Sequence, residues 1–169
     1  MRWILLLLAL VPIFVSAQLT PEQEAMLERM DEIDRYIHRA PIFLDDSSQG
    51  GLRATAKVLD ESCEDVENPH ADGVLTYCTI QLQGGLEARY RVFGDPQQLH
   101  VIWIDIQSSR WVLARDVAVG QSFEHVVTAL GEPTIREEDR VVYSGVTEQA
   151  LFELSNGNVS RIRLKYYVD

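Results

Sequence analysis

The chain has 169 residues, 46% hydrophobic and 24% charged, with 26 acidic against 15 basic side chains and a formal charge of −11 at pH 7. So acidic a chain repels nucleic acid and anionic lipid, which argues against both as partners. Two cysteines are too few to staple a small fold, and the length suits one domain or two small ones.

Residues 1–17 read as a secretory signal peptide. Arg2 supplies a positive start, "WILLLLALVPIFV" an apolar run, and "VSA" the small residues of a cleavage site after Ala17. The run falls short of the ~20 residues that a membrane span needs, and Pro12 interrupts it. The mature form, residues 18–169, is therefore expected to be periplasmic and not membrane-spanning. Losing Arg2 takes the 15 basic side chains to 14 against 26 acidic ones, a charge of −12.

Residues 18–41 predict one amphipathic helix. Thr20 suits an N-cap, Pro21 the first helical position, and Gln23 completes a capping box. Leu27, Met30, Ile33 and Ile37 recur at helical spacing, and Pro41 ends the pattern. The helix is either packed on a sheet or an arm that binds a partner.

Residues 42–118 are expected to hold antiparallel strands and a disulfide. "DDSSQGG" is a loop by composition, and "ATAKVLDESC" suits either a short helix or a strand. "DESCEDVENPHADG" carries six carboxylates from Asp60 to Asp72 without the alternation of a calcium loop, which leaves a solvated acidic loop tethered by Cys63. Cys63 and Cys78 are expected to be bridged in an oxidising compartment, across a separation of 15 residues. From Gly73 the period changes to two. "VLTYCTIQL", "LEARYRVF" and "LHVIWIDI" read as consecutive strands joined by turns at "QGG" and "GDPQQ". In the third, His100, Ile102, Ile104 and Ile106 share one face and Val101, Trp103 and Asp105 the other, so it is expected to be central.

Residues 119–169 predict a helix followed by a β-meander. In "VGQSFEHVVTALGEP", after the extended segment "DVAV", Ser122 takes the N-cap position and Glu124 the first turn. Phe123, Val126, Val127 and Leu130 form a buried stripe, Gly131 takes the left-handed position after the helix, and Pro133 stops it. Ser122 and His125 could approach each other, but a nucleophile needs its base oriented by a third group and donors for an oxyanion. None is evident. "RVVYSG", "EQALFEL" and "VSRIRLKYYV" follow as strands, the last two joined by a tight turn at Asn156-Gly157. The two strand sets are loosely alike, as two degenerate helix-plus-meander units would be.

From Gly120 onward the chain resembles the module shared by the SmpA/OmlA-type lipoproteins of outer-membrane assembly and the β-lactamase inhibitory proteins. Gly120, Ser122, Val126, Leu130, Gly131, Pro133 and the Tyr143-bearing strand carry the resemblance. It spans the last third of the chain. It implies an α+β fold, with helices packed on one face of an antiparallel sheet, and a non-enzymatic role in binding another protein. The lipoprotein group's membrane tether is not implied, because no lipidated Cys is present.

The strand patterns also suggest a surface. Arg161, Arg163, Lys165 and Tyr167 point one way along the last strand, and Arg89 and Arg91 share a face of an earlier one. If the strands share a sheet, these cations form a basic surface. The alternative is cross-strand pairing with Glu87 and Glu153, worth ~0.2–1 kcal/mol a pair. Trp103 and Trp111 are candidates for an interface anchor or for core filling. The histidines at 38, 70, 100 and 125 lack metal spacing and no phosphate loop occurs, so no cofactor, metal or catalytic residue is expected. The expected function is capture of another periplasmic or envelope protein, as an inhibitor or immunity protein, with an accessory role in envelope assembly as the alternative.

Overall fold

A computed structural model of the chain describes residues 19–41, 49–68, 72–92 and 99–167. The signal-peptide reading, "DDSS", His70 and the "GDPQQ" turn lie outside these residues.

Helix α1, Pro21–Arg39, begins with the capping box. The Thr20 N–H donates to Gln23 Oε1 at 2.9 Å, and the Gln23 N–H donates to Thr20 Oγ1 at 3.3 Å. Only its second half is buried: Ile33, Tyr36 and Ile37 are in the core, whereas Leu27 is 41% exposed. The expected four-residue stripe is thus two residues long, with Tyr36 added. A short helix, α2 (Gln49–Thr55), takes in the "QGG" that composition assigns to a loop.

The acidic stretch is a strand as far as Glu67. Strand β1, Val58–Glu67, pairs antiparallel with β2, Val74–Leu82, with Cys63 directly opposite Cys78. The two are disulfide-bonded. Carboxylates along β1 do not read as a strand because its side chains are mostly exposed. Backbone pairing and the bridge hold it rather than an apolar face. The carboxylates lie at an edge of the described sheet, where charge discourages pairing with another chain. The undecided segment resolves both ways, with α2 ending at Thr55 and β1 starting at Val58.

Strands β3, Leu86–Val92, and β4, Leu99–Ile106, complete the first meander. Their register shifts between Arg89, opposite Trp103, and Tyr90, opposite Val101, which leaves Ile102 as an extra residue on β4. The bulge breaks the expected alternation: His100 and Trp103, three residues apart, lie opposite Arg91 and Arg89 and share their face. Instead of continuing extended, the chain forms a 3-10 turn, Ala114–Asp116, with Arg115 and Asp116 at φ of 59° and 58°.

Helix α3, Phe123–Leu130, has Ser122 as its N-cap, accepting from the His125 N–H. Phe123, Val126 and Leu130 are buried, and His125 is exposed. Gly131 has the expected positive φ of 77°, but its ψ of −166° lies outside the left-handed helical region. The meander that follows is β5 (Ile135–Arg136), β6 (Arg140–Ser144), β7 (Gln149–Ser155) and β8 (Asn158–Lys165). The two-residue β5 has no sequence signal. Strand β8 ends before Tyr167, which the alternation would have kept in it. The Phe123 N–H donates to the Gly157 carbonyl at 2.9 Å and the Gly120 N–H to Val159 at 2.7 Å, so the start of α3 is docked on the Asn156-Gly157 turn.

The eight strands of the described residues form one antiparallel sheet in the order β1-β2-β3-β4-β8-β7-β6-β5. The order is palindromic. Each set of four consecutive strands runs inward from an edge, and the last strand of one meets the last of the other. The fold is therefore mixed α+β. Its apolar cluster joins Ile33 and Ile37 of α1 and Phe123 and Val126 of α3 to Ile80, Ala88, Ile104, Ile162 and Phe152 of the strands. The register puts these strand residues on one face.

Candidate functional site

The opposite face is polar at its centre, which is built by β3, β4 and β8. One row across it reads Arg89, Trp103, Lys165, and the next Glu87, Asp105, Arg163. Adjacent strands lie about 4.8 Å apart, so Arg89 and Lys165 start from backbones about 10 Å apart. The sequence-predicted cations thus do share one sheet face, with β4 between the two strands that carry them.

Asp105 organises the centre. It is 3% exposed. Arg161 donates from Nε to Oδ1 at 2.7 Å and from Nη2 to Oδ2 at 2.6 Å. Arg163 donates to Oδ2 from Nε at 3.0 Å and from Nη2 at 2.8 Å. Burial alone would raise the Asp105 pKa, but the hydrogen bonds and charges of the two arginines outweigh it and hold the carboxyl below its ordinary range. Arg161 is in turn held above the usual guanidinium value, first by the hydrogen bond to Asp105. Glu153, an expected partner, is only 3.8 Å from Arg161 Nη1, and Glu87 accepts from Gln81 Nε2 at 3.3 Å. The charge pairing foreseen for this face therefore exists, but chiefly through a residue not among those expected.

Around this triad, Arg89 pairs with Glu64 of β1 and stands over the Tyr77 ring at 5.5 Å. Arg91 lies between Tyr77 and His100. Lys165 is exposed and has no ion-pair partner among the described residues. Tyr167 follows the end of β8 and is 64% exposed. Trp103 is half-buried on this face, whereas Trp111 is in the core with its indole N–H donating to the Gly84 carbonyl at 2.6 Å. Core filling thus holds for Trp111, while Trp103 keeps part of its surface accessible.

Glu87, Trp103, Asp105, Arg161, Arg163 and Lys165 line a shallow concavity of about 360 Å³.

Comparison with protein families, with curated proteins and with solved structures finds no match to this chain.

The concavity has three cations against two carboxylates, a local charge of +1 in a chain of charge −11. Its guanidinium and ammonium donors beside an aromatic surface are groups suited to an anionic ligand. Asp105 had a signal in the sequence. A lone carboxylate in the strand "LHVIWIDI", apolar on both faces, must find cationic partners when buried.

Proposed function

We propose that this protein is an exported, periplasmic, non-enzymatic binding module of the inhibitor or immunity type, and that it captures another protein on the polar face of its sheet. In this reading the helices cover the other face, and the two meanders are degenerate copies of one unit. The palindromic strand order and the resemblance of the C-terminal third to exported binding modules support it. One observation carries most of the weight. The centre of the polar face holds a partly accessible tryptophan beside guanidinium groups fixed in place by Asp105. Rigid aromatic and arginine side chains are the residue types that dominate protein interfaces. The disulfide suits an oxidising compartment, and among the described residues no helix is long and apolar enough to cross a membrane.

The test is capture from a periplasmic extract of the native host at low and high salt. The baits are residues 18–169 and two variants, Trp103→Ala and Lys165→Glu. The expected result is a salt-sensitive partner that wild type retains and both variants lose while melting as wild type does. A partner set that is the same for all three baits would sink the assignment of the face. N-terminal sequencing of the exported protein, expected to begin at Gln18, checks the address.

A further inference from the structure

We infer that the concavity at the centre of the polar face is a receptor for one carboxylate, an aspartate or glutamate side chain projecting from a loop of a protein partner. The inference rests on the binding-face reading above and narrows it to a ligand chemistry.

The donors are defined by what Asp105 occupies. It engages Nε and Nη2 of both arginines. Among the described residues Arg163 Nη1 has no partner, and neither does the Lys165 ammonium. Both residues line the concavity. One buried carboxylate thus holds two guanidinium groups still and neutralises only one of them. Glu153, 3.8 Å from Arg161 Nη1, offsets part of the remaining charge, which leaves Arg163 Nη1 and the Lys165 ammonium as the free donors of the concavity. Donors fixed in this way lose little freedom on binding.

The charge pattern limits what can fill the site. The face of β3, β4 and β8 carries Arg89, Arg91, Arg161, Arg163 and Lys165 against Glu87 and Asp105. On the strands beyond, the same face carries Asp60 and Glu64 on β1, and Glu153 on β7 with Arg140 of β6 opposite it. A positive centre some three strands wide is thus bordered by negative charge on its β1 side, about two strand spacings of ~4.8 Å beyond β3. The screening length is ~10 Å at 0.1 M salt, so the border remains effective. A polyanion lying flat, such as a nucleic acid or an anionic bilayer, would meet the border. One carboxylate on a narrow projection would not. Trp103, which lines the same concavity, offers apolar surface to the stem of such a side chain.

The test uses a displayed library of random disulfide-closed peptides, selected on residues 18–169 at low salt. Enriched peptides are synthesised, and their affinities measured by fluorescence anisotropy. The expected result is that the peptides share an Asp or Glu. Replacing it with Asn or Gln should weaken binding at least tenfold, and so should Lys165→Gln in the protein. Binding should also fall as pH drops through the peptide carboxylate's range, about 4. Arg163→Gln is expected to weaken binding further, but it also strips a partner from buried Asp105. Lys165→Gln, at an exposed position, is therefore the deciding variant. Peptides that lose binding with Trp103→Ala, yet are indifferent to Lys165→Gln and to loss of their own carboxylate, would overturn the receptor and leave the binding face standing. A library yielding no peptide would also overturn the receptor, and capture from the extract then decides the face independently.

Discussion

The carboxylate of Asp34 accepts the backbone N–H of Glu148 at 2.9 Å, joining α1 to a turn 114 residues away. It also accepts the N–H groups of Val146 at 2.9 Å and Thr147 at 3.1 Å. One side chain thus satisfies three successive donors of the β6–β7 turn. Gly145, buried beneath it, leaves no room for a Cβ, which would collide with the same carboxylate. Asp34→Ala is expected to cost about 2–4 kcal/mol, because hydrogen bonds to a charged acceptor contribute about 1.5–3 kcal/mol each and do not add fully. Gly145→Ala is expected to cost about 1–3 kcal/mol by overpacking. Urea unfolding checks both. Hydrogen exchange in residues 33–40 should rise more than in β2 or β3.

Glu148 itself is buried, with Oε1 2.7 Å from His38 Nδ1 and Oε2 without a partner. Burial raises its pKa, the Asp34 charge adds to the rise, and His38 opposes it. A carboxyl raised in the folded state contributes stability that is complete below its unfolded value of about 4.3 and is lost as pH rises through the folded one. Glu148→Gln should therefore be more stable than wild type at pH 8, with the gap closing towards pH 4. Thermal melts across that range would refute this if the gap were constant or reversed.

Asp105 behaves oppositely. Its lowered pKa means stability that is present above about pH 4 and lost as pH falls through the folded value. Asp105→Ala leaves two guanidinium groups facing each other. Breaking a buried ion pair costs about 3–5 kcal/mol, less here because both arginine side chains are 33% exposed, so about 2–3 kcal/mol is expected. Denaturant titration at pH 7 measures it. Reversing Arg161 and Arg163 to Glu would set three carboxylates together, and the protein is expected not to fold. That pair therefore cannot separate binding from stability, whereas Lys165 can.

Reducing the Cys63–Cys78 bridge should lower stability by about 3 kcal/mol on loop-closure entropy for a 15-residue separation. The loss should concentrate in β1, which among the described residues has a sheet partner on one side only. Hydrogen exchange with and without reductant would show protection lost first in residues 58–67. Uniform loss across the sheet would contradict this.

Much of the fold was written in local pattern. The three strands from Val74 to Ile106 and the caps at Thr20 and Ser122 were legible because alternation and capping chemistry act over a few residues. β1 was not, since its strand character comes from a partner and a bridge. The bulge at Ile102 was hidden because a one-residue insertion leaves composition unchanged and reverses only the facing of what precedes it. At the candidate site, the cations could be read from the β8 alternation. Their common partner could not be named, because Asp105 is 56 residues from Arg161 and meets it only through the β4–β8 pairing.

That pairing is short, four residue pairs from Trp103–Lys165 to Ile106–Ile162. It is the only ladder joining the two four-strand sets within the described sheet. Asp105 and Arg163 are one of its four pairs, so the residues that shape the concavity are also a rivet between the two halves. Whatever settles there would grip both halves at once, and any substitution that loosens the rivet would blunt recognition with it. Through Asp105 and Arg163, the hold on an occupant would be coupled to the cohesion of the two halves.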